Sequence, residues 1–197
     1  MDSALLLAQR DGWQNINLLA ICEHCGCSMV QLRSHFRSKD DIAEALFDRA
    51  DEYALSCCDE QDFKLLDSEE RLQYMIVAWL NFLLPYRNLV KDIIAYKIEP
   101  GHVHLQAHAI TRISRTVQWF MHAADVQSSN VKRVMDEIAI SAIFVCTMTT
   151  FMMSKRTSTD RANALLGKLL HRHFNCPLSN RIYKTQQSKT IGLSTSS

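Results

Sequence analysis

A group of amide, hydroxyl and basic side chains lies between residues 28 and 39 of this 197-residue chain. In a DNA major groove, glutamine can read adenine and arginine can read guanine, while hydroxyl and lysine groups contact phosphates. The same stretch carries three fixed positive charges and no acidic residue. These residue types favour recognition of duplex DNA, and the predicted contacts are Asn17, Ser28, Met29, Gln31, Arg33, Ser34, His35 and Lys39.

The predicted contacts divide by role. Gln31 lies near the start of a short helix, where side chains reach base edges, whereas Lys39 opens the next helix and can only meet the backbone. Asn17 precedes the group by a full helix. We therefore expect Asn17 and Lys39 to hold phosphates on the two sides of the base-reading residues.

Three cysteines, Cys22, Cys25 and Cys27, precede this group in a Cys-x2-Cys-x-Cys pattern. The pattern is compatible with a metal site or a thiol switch, but free cysteine also packs as a small apolar residue. The chain has seven cysteines without the even number and spacing of a disulfide framework, which indicates reduced thiols and a cytoplasmic protein. We expect packing and no metal, with thiol sensing as the alternative.

The spacing of apolar residues predicts two short helices joined by a tight turn around the candidate contacts. Asn17 can cap the first helix, and Gly26 can adopt the left-handed turn conformation that residues with a Cβ atom resist. Ser28 and Gln31 match a capping box that opens the second helix. Leu32 and Phe36 lie four residues apart and so share one face, which can pack on the first helix.

The rest of the chain is also predicted to be helical. Only five glycines and three prolines occur, and no alternating apolar pattern predicts a strand. We expect an all-α fold of about nine helices, at 3–11, 17–24, 28–35, 39–57, 68–84, 86–98, 102–124, 130–153 and 158–173. Residues 1–50 form a three-helix DNA-binding domain, 51–174 a larger helical bundle, and 175–197 a flexible basic tail. No nucleophile motif or glycine-rich phosphate loop is present, so we expect neither an enzyme nor a cofactor.

Residues 6–51 resemble the DNA-binding head of the TetR family of transcriptional regulators. The motifs are Gly-Trp at 12–13, the turn Cys-Gly-Cys-Ser at 25–28, Leu-Arg-Ser-His-Phe at 32–36 and Ser-Lys-Asp-Asp-Ile at 38–42. The helix pattern behind them is similar to the family's body. The resemblance implies a homodimeric, ligand-responsive repressor that binds a palindromic operator in double-stranded DNA.

Two features depart from the family pattern. Arg33 occupies the place of a phosphate-contacting tyrosine, and a guanidinium group also suits phosphate. Residues 1–50 contain five lysines and arginines against seven acids, a net charge of −2, where a DNA binder is expected to be basic. The alternative is therefore a lipid-binding or adaptor protein that keeps the fold and has lost DNA binding.

The helical body carries aromatic side chains at positions where an enclosed ligand can be held. An apolar cavity with a few polar groups is the usual form of a small-molecule site. We expect a small apolar effector in contact with Trp79, Phe82, Tyr86, Trp119 and His122.

The segment at 130–153 is apolar over more than one face, and residues 138–154 contain no charge. The uncharged run at 138–154 is short for a membrane span, which needs about 20 mostly apolar residues. We therefore expect no membrane insertion but a homodimer built from the helices at 130–153 and 158–173. Charge introduced at Ile143 or Thr147 is predicted to weaken that dimer.

Overall fold

The computed structural model of the chain describes residues 1–98, 103–126, 130–154 and 158–175. In these ranges the protein is all-α, as predicted. The helices are α1 (Asp2–Asp11), α2 (Leu18–Cys25), α3 (Met29–His35), α4 (Lys39–Ser56), α5 (Gln61–Leu65), α6 (Ser68–Leu83), α7 (Arg87–Ile98), α8 (Val103–Ala123), α9 (Asn130–Met153) and α10 (Asp160–Phe174).

The nine predicted helices agree with the observed ones to within about two residues at each end. Helix α5 was not among the predicted helices; it has five residues and no side-chain cap at its N-terminus. Phe63 anchors it, with its ring buried and edge-on to Tyr74. A single anchoring ring leaves no repeating apolar pattern, so residues 61–65 carry no helical periodicity that could be recognised from the sequence.

The first three helices form a small head around the buried ring of Trp13. Ile21 from α2 and Leu32 from α3 point into this core, and α4 closes it with Ile42 and Leu46. A helix of seven residues such as α3 is unstable alone, so burial of Leu32 and the caps at its ends hold it in place.

Behind the head, the body is a bundle in which α6 packs against α4 and α10, while α9 packs against α8 and α10. Its core includes Trp79, Phe120 and Phe144. The domain boundary expected after residue 50 falls inside α4, which continues unbroken from the head core into the body. A movement of α4 would therefore displace residues in both the head and the body. The predicted tail, from residue 176 onward, lies outside the described residues.

Candidate nucleic-acid interface and ligand cavity

The turn between α2 and α3 has the predicted caps. The Asn17 side chain accepts a hydrogen bond from the Ala20 N–H at 2.8 Å, and Gly26 adopts the left-handed conformation with φ of 67°. At the start of α3, the Ser28 hydroxyl accepts from the Gln31 N–H, and the Gln31 carboxamide oxygen accepts from the Ser28 N–H at 2.8 Å. These bonds satisfy amide groups that each helix start leaves without partners, and they fix the angle at which α3 is presented.

One face of α3 is open to solvent along its whole length. Only Leu32 of this helix is buried, and Met29, Gln31, Arg33, Ser34 and His35 are all exposed. Val30 is 80 % exposed and lies next to Gln31 on α3. The methyl groups of valine can pack against the thymine methyl in a major groove. Val30 is therefore a candidate contact that the sequence analysis left out.

Two of the predicted base-reading side chains are engaged inside the helix. The Gln31 carboxamide oxygen accepts the capping bond, which leaves its Nε2 hydrogens as the donors that face outward. The Ser34 hydroxyl donates to the Gln31 carbonyl at 2.7 Å. A two-bond contact from Gln31 to adenine needs both its oxygen and its nitrogen. In this geometry Gln31 is suited to donate to an acceptor.

Lys39 points into the protein. Its ammonium donates to the Trp13 carbonyl at 2.7 Å and to the Ile16 carbonyl at 3.3 Å, and it lies 5.2 Å from the centre of the Trp13 ring. Burial lowers the pKa of Lys39, because a desolvated ammonium loses part of its hydration. In this geometry Lys39 holds the loop before α2 in place. A phosphate contact would require the ammonium to break its hydrogen bonds with these carbonyls.

Contacts with the body account for much of the excess of acids in residues 1–50. Glu44 lies 2.6 Å from the Lys97 ammonium, and Asp48 lies 2.6 Å from the Arg112 guanidinium. Lys97 also pairs with Asp40 at 3.4 Å. Three of the seven acids are therefore paired with two cations outside residues 1–50, Lys97 and Arg112. The count of charges in this segment exaggerates how negative the open surface is.

The basic residues at positions 1–50 differ in whether they form salt bridges. Arg10 pairs with Asp11 and Arg49 pairs with Asp2. Among the described residues, Arg33 and Arg37 form no salt bridge, and both side chains are exposed on or just after α3. The surface around α3 therefore presents free guanidinium groups, which is the charge that phosphate binding needs.

The body contains an apolar cavity of about 330 Å³ bounded by α4, α6, α7, α8 and α9. Most of the surface that faces the cavity is formed by apolar atoms. Trp79, one of the five predicted ligand contacts, lines the cavity. The other lining side chains are Glu44, Phe47, Ile94, Lys97, Ala109, Ile110, Arg112, Ile113, Thr116, Phe144, Val145, Met148, Thr149 and Met152.

The other four predicted ligand contacts lie elsewhere. Phe82 packs between the rings of Tyr53 and Tyr86, at 5.6 and 6.3 Å between ring centres. Trp119 is 58 % exposed on the outside of α8. His122 lines a separate polar cleft, where its Nε2 lies 3.0 Å from the Arg133 guanidinium. Aromatic content alone did not separate the cavity wall from the general core, because both use the same residue types.

A nearly buried ion cluster joins the cavity to α4. The Arg112 side chain, 9 % exposed, lies 2.9 Å from Asp51 and 3.1 Å from Glu44, besides its contact with Asp48. The Asp51 carboxylate also accepts hydrogen bonds from the Trp79 indole at 2.8 Å and from the Thr116 hydroxyl at 3.0 Å. Burial raises the pKa of Asp51, and Arg112 and these two donors partly offset that effect.

One face of α9 carries large apolar side chains in the open. Val131, Val134, Met135, Ile138 and Val145 are each 42 to 66 % exposed. Among the described residues, Val131–Met153 is the one stretch long and apolar enough to cross a membrane. Its charged end is engaged in the protein, because Asp136 is buried beside His173 at 3.2 Å.

Ile143 and Thr147, proposed from sequence as dimer positions, are buried inside their own subunit. The Thr147 hydroxyl donates to the Ile143 carbonyl at 2.8 Å. That expectation was wrong about the face of α9, since a charge at either residue would disrupt the subunit core. The exposed face of the same helix is the one available to a partner.

Two solved structures are similar to this chain over most of its length. The TetR transcriptional regulator from Nitrosomonas europaea ATCC 19718 is 30 % identical, with a TM-score of 0.76 over 86 % of this chain and 92 % of that one. A TetR-like transcriptional regulator from Rhodococcus sp. RHA1 is 18 % identical and shares the fold, with a TM-score of 0.51 over 89 % and 93 %. No protein-family model matches the chain, and neither does any curated protein.

Proposed function

Because the chain belongs to the TetR family of transcriptional regulators, we propose that it is a ligand-responsive repressor that binds a palindromic operator as a homodimer. The observation that carries the proposal is the open face of α3, on which Arg33 and His35 are exposed next to Arg37. A short, rigidly capped helix with free basic groups fits a major groove.

In this proposal the residues of the head have distinct roles. Arg33, His35 and Val30 reach base edges or the adjacent phosphates, and Gln31 donates through its Nε2 group. Asn17 and the free amides at the start of α2 face a phosphate on the flank. Lys39 acts indirectly, because its bonds to the Trp13 and Ile16 carbonyls hold the loop that leads into α2.

The homodimer would form through the exposed apolar face of α9. The open side chains of Val131, Val134 and Ile138 follow helical spacing, and an apolar patch of this length is rarely left uncovered on a soluble monomer. The proposal requires a twofold axis that brings the two α3 helices to one side of the dimer. For binding to successive major grooves they must be about 34 Å apart.

The effector would occupy the apolar cavity behind α4. Glu44 and Phe47 of α4 belong to the cavity wall, and Glu44 is also held by Lys97 and Arg112. A ligand that pushes on this wall shifts α4, and α4 carries Ile42 and Leu46 of the head core. Operator and effector then favour different positions of α4, so each weakens the binding of the other.

Recovery of bound fragments from random duplex DNA tests this function. The purified reduced protein is expected to enrich one palindromic sequence with two half-sites about one helical turn apart. A control protein with Arg33→Ala and Arg37→Ala should enrich none. If the wild-type protein enriches no sequence and binds no duplex, while an apolar probe still enters the cavity, the lipid-binding alternative replaces the regulator.

A further inference from the structure

Two thiols face each other across the turn of the DNA-binding head. Cys25 is the last residue of α2 and Cys27 follows Gly26, and their Sγ atoms are 3.0 Å apart. Cys25 is exposed and Cys27 is partly exposed, so both can meet a small oxidant. Packing, the role expected from sequence, does not describe an exposed pair in contact.

Cys22 differs from this pair. It is 4 % exposed in the core of the head, and its Sγ lies 3.5 Å from the sulfur of Met29, an exposed residue of α3. The packing role expected for the three cysteines therefore suits Cys22 fully and Cys27 in part, because Cys27 packs against the edge of the core. Cys25 and Cys27 are left as a separate thiol pair.

We propose that Cys25 and Cys27 form a reversible disulfide on exposure to hydrogen peroxide or an organic hydroperoxide, and that the oxidised protein binds DNA weakly. The second part rests on the proposed DNA-binding function. The first part depends only on the two thiols and can be tested without DNA.

The reaction balances with peroxide as the oxidant. The Cys25 thiolate attacks one peroxide oxygen and the O–O bond breaks, which leaves a sulfenic acid on Cys25. The departing hydroxide or alkoxide takes up the proton that the Cys25 thiol released and becomes water or an alcohol. The Cys27 sulfur then attacks the Cys25 sulfur, and the sulfenic hydroxyl leaves as water with the Cys27 proton. Two thiols have lost two electrons and two protons, and a dithiol reductant reverses the change.

The two thiols differ in pKa in the direction that these two steps require. The contact with the Cys27 sulfur lowers the pKa of Cys25, because the neighbouring thiol can stabilise the thiolate form. The same contact raises the pKa of Cys27 to about 12. Cys25 is thus the nucleophile that meets the oxidant first, and Cys27 keeps its proton until the second step.

The bond would distort the turn that presents α3. A disulfide requires a sulfur separation of about 2.05 Å, so the two sulfurs must approach by about 1 Å. They flank Gly26, whose left-handed conformation ends α2, and the Cys27 N–H donates to the Cys22 carbonyl at 3.1 Å to complete that ending. Ser28, the cap of α3, is the next residue. A change at this point alters the direction of α3 and the position of Arg33.

Peptide mapping tests the disulfide. Trypsin releases residues 11–33, which contain Cys22, Cys25 and Cys27, as one peptide. After peroxide treatment, denaturation and alkylation, the expected peptide has lost two hydrogens and carries one alkyl group. The Cys22→Ala variant should still form the bond, and the Cys25→Ser and Cys27→Ser variants should not. Three alkylated cysteines in the treated wild-type peptide, or a bond lost only in Cys22→Ala, would overturn the assignment.

DNA binding tests the consequence. Oxidation should weaken operator binding at least about tenfold, the effect of losing one good contact, and a dithiol reductant should restore it. The Cys25→Ser protein should bind like the reduced wild type and ignore peroxide, and Cys58→Ser in the body should behave as wild type. Unchanged affinity of a fully oxidised protein would overturn the regulatory part. Absence of DNA binding by the reduced protein, with the disulfide still formed, would instead refute the proposed function.

Discussion

Replacement of Arg112 by methionine should expose how strongly the ion cluster holds α4. The change keeps much of the side-chain volume but removes the only guanidinium in contact with Glu44, Asp48 and Asp51 among the described residues. Lys97 remains near Glu44 at 2.6 Å. The substitution therefore strands carboxylates in a site where their charge is poorly solvated.

The size of the effect follows from burial. Removal of one partner from a buried ion pair costs about 3–5 kcal/mol, whereas an exposed pair contributes about 0–1 kcal/mol. Arg112 is 9 % exposed and Asp51 19 %, but Asp48 is 59 % exposed, so its contact belongs to the weaker class. We expect a loss of about 3 kcal/mol in the free energy of unfolding.

Urea unfolding at fixed protein concentration measures this loss. With a slope of about 2 kcal/mol per molar urea, the midpoint of Arg112→Met should fall by about 1.5 M. Arg115→Met, an exposed arginine on the same helix, is the control. If the two variants unfold within about 0.3 M of each other, the cluster does not hold α4.

The pH dependence separates a stranded charge from lost packing. Burial already raises the pKa of Asp51 in the wild type, and loss of Arg112 removes a contact that opposes this rise. A carboxyl group with a raised pKa in the folded state binds its proton more tightly there, so acidification stabilises the fold. The deficit of Arg112→Met should therefore shrink as the pH falls from 7 through the raised pKa of Asp51. A deficit that does not change with pH would indicate a packing defect.

Three further changes address other parts of the molecule. Gln31→Glu keeps an acceptor for the Ser28 N–H but places a negative charge on the open face of α3. Thermal unfolding should stay within about 2 °C of wild type while DNA affinity falls at least about tenfold, and an equal affinity would exclude this face from the interface. Ile138→Lys should dissociate the dimer, as measured by sedimentation, without loss of helicity. Leu65→Lys, on an exposed site of α5, is the control and should leave the dimer intact. A stable Ile138→Lys dimer would refute the α9 interface. Hydrogen bonds from Ser114 and Gln118 lower the pKa of Glu137 in the folded protein, so the stability that Glu137 contributes is present above its unfolded pKa near 4.5 and is lost as the pH falls through the lower folded value. The difference in unfolding temperature between wild type and Glu137→Gln should therefore close on acidification. A difference that widens would contradict this origin.

Local signals accounted for most of the fold. The capping box at Ser28 and Gln31 and the left-handed Gly26 depend on residues a few positions apart, and sequence spacing predicts such features well. The cavity wall depends on how α4, α7, α8 and α9 pack, which no local pattern records. For this reason only Trp79 of the five predicted ligand contacts lies on it.

The charge of the head shows the same limit. A count of residues 1–50 gives an excess of acid, because Lys97 and Arg112, which neutralise part of it, lie far along the chain. The direction of the Lys39 side chain could likewise not be predicted from local sequence, because its carbonyl partners at Trp13 and Ile16 belong to a loop more than twenty residues earlier. Tertiary contacts of this kind decide which charges remain available to a ligand.

The salt dependence of DNA affinity tests the central claim most directly. Fluorescence anisotropy of a labelled duplex, carrying either the enriched palindrome or a random sequence, should be followed with the reduced protein from about 50 to 200 mM salt. If each subunit of a dimer brings Arg33 and Arg37 to phosphates, the logarithm of the affinity should fall with the logarithm of salt at a slope of about −4, and the palindrome should bind more tightly than the random duplex. No measurable affinity for either duplex at about 50 mM salt would contradict the regulator account.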